Sequence, residues 1–83
     1  MARSKFLQGT LQRLPDIDRY CRETGNEWFG VSHVVSIVSD GTLRHMHREG
    51  YLMERRFRAR FNRQIRIEYR LTPQAMEEIQ RQK

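Results

Sequence analysis

The stretch VSHVVSIVSDGTLRHMHRE, residues 31–49, decides how this chain is read. The β-branched residues of 31–38 favour a strand on propensity. At helical pitch, however, Val31, Val34, Val35 and Val38 fall on one face, with Ser32, His33 and Ser36 opposite. Ser39-Asp40-Gly41 is a polar turn with capping residues, and residues 42–49 read as a helix stopped by Gly50. On that helix Leu43, Met46 and Gly50 share one side, and Gly41, Arg44, His45 and Arg48 the other. The Leu43/Met46 face needs an apolar partner one tight turn upstream. The valine stripe supplies it as a helix, so a helix is expected over 31–38.

Downstream, Tyr51-Leu52-Met53 opens a strand running to about Phe57. A returning strand over 65–71 alternates, with Ile65, Ile67, Tyr69 and Leu71 on one face and Arg66, Glu68 and Arg70 on the other. Thr72-Pro73 is a helix start, Thr as cap and Pro at the first helical position, and Ala75, Met76 and Ile79 then point inward. Upstream, Leu7, Leu11 and Leu14 predict a short helix over 4–13, weakened by Gly9. Residues 15–24 predict a second, with Ile17, Tyr20, Cys21 and Thr24 on one face, acidic Asp16 and Asp18 in its first turn and Gly25 at its end. Residues 27–29 suit a short strand, with Trp28 and Phe29 anchoring a small core, or Trp28 at a dimer contact. Two short helices joined by a polar turn, the second bearing Arg and His outward, make a helix-turn-helix, here followed by a hairpin.

Charge falls on the same unit. Between residues 44 and 70 stand nine Arg (44, 48, 55, 56, 58, 60, 63, 66 and 70) against Glu49, Glu54 and Glu68, a balance of +6 that equals the net charge of the whole chain. Both flanks are neutral. A basic stripe confined to one supersecondary unit is the footprint of a surface that meets a polyanion. Fourteen of the sixteen basic residues are Arg. The guanidinium fork bonds phosphate and guanine edges in bidentate fashion, whereas Lys offers a point charge.

The order of helix, strand, helix, turn, helix, hairpin, helix resembles a winged helix-turn-helix. LRHMHREGYL (43–52) is similar to the segment that ends the recognition helix and enters the wing in the MarR and PadR regulator groups. IEYRLTPQAMEEI (67–79) is similar to their Y-x-L-T-x-x-G segment, where the wing's second strand runs into the next helix. The resemblance spans roughly residues 28–80, with Ala75 where those groups have Gly, and Arg60-Phe61-Asn62-Arg63 in place of their Asp-x-Arg pair. The chain also lacks their long dimerisation helices. The resemblance therefore implies an α+β fold, a small winged helix-turn-helix with three or four helices and a two- or three-stranded β-wing. It implies DNA binding, and no ligand pocket is carried over with it.

One winged-helix domain over 1–83 is expected, with 1–14 as an N-terminal extension or helix and 15–80 as its core. A chain of 83 residues buries only ~60–65% of its unfolded surface. The expected partner is double-stranded DNA, bound by a homodimer through residues 1–14 or the last helix. Gly41, Thr42, Arg44, His45 and Arg48 are the candidates on the recognition helix. Arg55, Arg56, Arg58, Arg60, Asn62, Arg63 and Arg66 are those on the wing, for phosphate and narrow minor grooves. The expected role is a small transcriptional regulator of phage, plasmid or bacterial type. A winged-helix adaptor for another protein, or an architectural accessory protein for replication or excision, are the alternatives.

No enzyme is expected, since no nucleophile and base share a recognisable context and no Gly-rich phosphate loop occurs. Neither is a metal, cofactor or small-molecule ligand: His45 and His47 lie about 200° apart on a helix, and no CxxC or HxxxH spacing occurs. His47 reads instead as a packing residue. Lone Cys21, with no signal-peptide core and no apolar run near the ~20 residues of a membrane span, fits a cytoplasmic protein, nucleoid-associated when on DNA.

Overall fold

Turn and capping residues bound several of the helices. The computed structural model describes residues 5–58 and 64–83. Helix α1 spans Lys5–Leu11 and α2 Leu14–Thr24, where Pro15 occupies the first turn and Gly25, at φ 72°, closes the end. Leu11, Leu14 and Ile17 are fully inside, and Tyr20 and Cys21 are half-buried against them. Thr24, expected on that face, is exposed and its hydroxyl instead donates to Tyr20 O at 2.8 Å. Burial, and after it the Asp18 carboxylate, push the Cys21 thiol above its ordinary range.

The strand expected over 27–29 contracts to one pair. Phe29 exchanges two backbone hydrogen bonds with Tyr69, at 2.9 and 2.8 Å. Phe29 is fully buried, whereas Trp28 is only half-buried, with the Arg55 guanidinium 4.3 Å above its ring. Phe29 alone of the two joins the core cluster.

Residues 31–38 are neither strand nor continuous helix, which corrects the sequence-based expectation. A 3-10 turn covers Val31–His33, and then Val34 O accepts from both Ile37 N and Val38 N at 2.9 Å. The crowded β-carbons that argue against a long helix win here. Val34 and Val38 are buried at 0% and 5% exposure, Val31 is half-buried, and Val35 stands out at 66%. Ile37 packs against the core where Val35 was expected. The Leu43/Met46 face thus receives its apolar partner from a turn.

Helix α3 covers Asp40–Arg48, with Ser39 Oγ accepting from Thr42 N at 3.2 Å and with Leu43 and Met46 fully buried. The chain then reverses at Gly50, φ 89°. Thr72 locks this corner: its hydroxyl donates to Gly50 O at 2.8 Å and accepts from Ala75 N at 3.2 Å, which caps α4 (Pro73–Arg81). A Cβ on Gly50 would sit 2.8 Å from the Gln74 Oε1 tip. Gly50→Ala is therefore expected to cost about 1–2 kcal/mol for its left-handed backbone, read as a lower urea midpoint at unchanged slope.

Strands β1 (Leu52–Arg58) and β2 (Ile65–Leu71) pair antiparallel, Leu52 opposite Leu71, Glu54 opposite Tyr69 and Arg56 opposite Ile67. The span of β2 is the expected one, but its apolar face is inside only near the base. Tyr69 is 2% exposed, while Ile67 and Ile65 reach 37% and 60%, because the hairpin runs out past the core. In α4, Ala75 and Ile79 are buried as expected, and Met76, expected inward, is 39% exposed. The result is a small α+β architecture compatible with a winged helix. No helix among the described residues is long and apolar enough to cross a membrane.

Candidate nucleic-acid interface

Strand alternation decides which hairpin cations face α3. Glu54, Arg56 and Arg58 share a face with Ile65, Ile67 and Tyr69 across the ladder, and Met53, Arg55 and Phe57 take the other. Glu54 and Tyr69 come against α3: His47 lies with its ring 6.2 Å from that of Tyr69 and its Nδ1 3.6 Å from Glu54 Oε2. Between the start of α3, the 31–33 turn and this hairpin face opens a cleft of about 570 Å³. Its walls include Arg44 of α3 and Arg56 of β1, while Arg66 of β2 borders it from the opposite face of the ladder.

The candidates on α3 separate by side. Gly41, Arg44 and Arg48 are exposed as expected. Thr42 and His45 are half-buried, and the Thr42 hydroxyl lies 3.0 Å from Ser39 Oγ within the helix cap. Thr42 looks toward Thr10, Arg13 and Ile37 and belongs to the cap, and His45 is turned partly inward. Arg44 holds Asp40 of the same helix through Nη2 at 2.5 Å. The i,i+4 spacing of Asp40 and Arg44 is a signal the sequence already carried.

The candidates on the hairpin also divide. Arg55 turns away from the cleft, forks onto Glu68 Oε1 at 2.9 and 2.6 Å, and lies over Trp28. Arg56 donates from Nε to Glu54 Oε1 at 2.7 Å. Arg58 and Arg66 are exposed, and among the described residues neither they nor Arg48 form an ion pair. Arg60, Asn62 and Arg63 lie outside the described residues.

Charges from both elements converge on Tyr69. Burial first, then the carboxylates of Glu54 and Asp40, push its hydroxyl above the ordinary range, and Arg44 and Arg56 oppose them. No group of three His, Cys, Asp or Glu suited to a metal ion occurs among the described residues. A scan against protein-family models finds no match, and neither curated proteins nor solved structures yield a similar chain.

Proposed function

We propose that this chain is a sequence-specific double-stranded DNA-binding protein of the winged-helix class, with a turn over residues 31–38 in place of the first helix of a helix-turn-helix, acting as a small transcriptional regulator. One observation carries the reading: Arg44 of a short capped helix and Arg56 of a projecting hairpin line the same cleft. Helix α3 would lie in the major groove with Arg48 toward base edges and Arg44 in reach of base edges or the flanking phosphates, and the hairpin would track the adjoining backbone. Phosphate contacts supply most of the affinity and a few helix side chains the preference. A homodimer on a two-fold site is the proposed assembly.

Selection from a random duplex pool tests this. Enrichment of a two-fold motif supports a regulator. Binding without enrichment points to an architectural role, and no binding beside a salt-sensitive protein complex points to an adaptor.

The two arms make separable contributions. Arg48→Ala is expected to cost ~1–3 kcal/mol on the selected sequence and little on random duplex, as for an Arg that grips a guanine. Arg58→Ala and Arg66→Ala are expected to weaken both kinds of duplex alike, each lowering the salt slope by ~0.9. Fluorescence anisotropy on the two duplexes reads the difference. Equal effects of all three variants on both duplexes would remove the division into reading helix and positioning hairpin.

A further inference from the structure

Two of the cations in the cleft already hold an anion. Arg44 Nη2 lies 2.5 Å from Asp40 Oδ2 on α3, and Arg56 Nε lies 2.7 Å from Glu54 Oε1 on β1. In the second pair the partners differ in freedom. The Arg56 side chain is 64% exposed, but that of Glu54 is 18% exposed, set opposite Tyr69 in the ladder and beside His47. The guanidinium is free to swing out to a ligand, and the carboxylate cannot follow it. The fork that meets the carboxylate is the same one that meets a phosphate, so the two anions exclude each other on it.

We infer that Asp40 and Glu54 are internal competitors of the DNA phosphates for Arg44 and Arg56, and so hold down the affinity of the interface. The inference rests on the DNA-binding reading above. A phosphate that takes either Arg must break an ion pair and then sits beside the carboxylate left behind. Arg48, Arg58 and Arg66, with no ion pair among the described residues, bear no such penalty. The penalty falls on every duplex, random sequence included. Its function is to keep a chain of net charge +6 from binding DNA indiscriminately.

The test replaces each carboxylate by its amide, which keeps the shape and removes the charge. Asp40→Asn and Glu54→Gln are each expected to tighten random duplex roughly two- to fivefold, the worth of an exposed ion pair. The salt slope should steepen by up to ~0.9 for each Arg released. Glu77→Gln is the control, because it changes net charge equally. Glu77 is an exposed residue of α4 with no ion pair among the described residues, beside Met53 and Arg70 on the sheet face away from Glu54. Adding Arg44→Ala to Asp40→Asn should abolish the gain. Thermal melting by circular dichroism checks folding, and Glu54→Met repeats the test should Glu54→Gln melt early.

A gain in both amide variants that exceeds the control supports the inference. A gain no larger than that of Glu77→Gln overturns it, since net charge alone then explains the change. Weaker binding by Asp40→Asn on the selected sequence also overturns it, because Asp40 would then accept from a cytosine amine. Wild-type protein that binds no duplex at 50 mM salt removes the DNA-binding reading, and this inference with it. Wild-type protein that binds, with amide variants that gain nothing, removes this inference alone.

Discussion

Titrated into labelled duplex DNA at 50 mM and again at 200 mM salt, the protein is expected to lose roughly 500- to 5,000-fold in affinity. The size follows from where the cations are. Arg44 and Arg56 line the cleft, Arg48, Arg58 and Arg66 are exposed without ion pairs among the described residues, and Arg60 and Arg63 stand between the two strands in sequence. Contact by five to seven of these releases as many condensed counterions, and log K then falls with log salt at a slope of about −4.5 to −6. The ion pairs with Asp40 and Glu54 set the lower end of that range, because an Arg that stays on its carboxylate releases no counterion. Anisotropy at five salt concentrations gives the slope. A value near zero would leave the clustered charge without a nucleic-acid role and favour a protein partner.

What could be read from the sequence was what local chemistry fixes. Thr72-Pro73 starts a helix in any context, since the hydroxyl caps and the ring presets φ, and α4 begins there. Alternation over 65–71 marks a strand because one face must be dry at its base, and Tyr69 is. Gly50 marks a reversal because few other residues tolerate its φ of 89°. Tertiary matters were less legible. Met76 and Ile65 carry the right periodicity, yet both are exposed, Ile65 because the hairpin extends past the core. The pairing of Arg55 with Glu68 requires the strand register, which the Arg-rich connection between the strands does not specify. Of the site, the clustering of charge is visible in the sequence, whereas its internal neutralisation is legible only for Asp40 and Arg44, whose i,i+4 spacing announces the pair, and not for Glu54 and Arg56.

Residues 31–38 show the same division, and two adjacent substitutions test it. Val34→Asp is expected to unfold the protein, whereas Val35→Asp changes stability by less than about 0.5 kcal/mol. Val34 is fully buried in the cluster that holds Leu43, Met46 and Phe29, and a carboxylate there would lose its water without gaining a partner. That costs several kcal/mol, and a domain of this size has a total stability of only about 4–12 kcal/mol. Val35, one residue on, is 66% exposed within the turn that Ile37 and Val38 close onto Val34 O. In a regular helix the two valines would share the inward stripe with Val31 and Val38, and both substitutions would be ruinous. In a strand they would point to opposite faces, but Val38 would then lie on the same side as Val34 only with Ser36 buried between them. Ser36 is exposed, so the turn is the arrangement that puts Val34 and Val38 inside with Ser36 outside. Circular dichroism melting of the two variants measures the contrast. Equal loss in both would restore the continuous helix, and with it a two-helix unit in place of a single helix set on a turn.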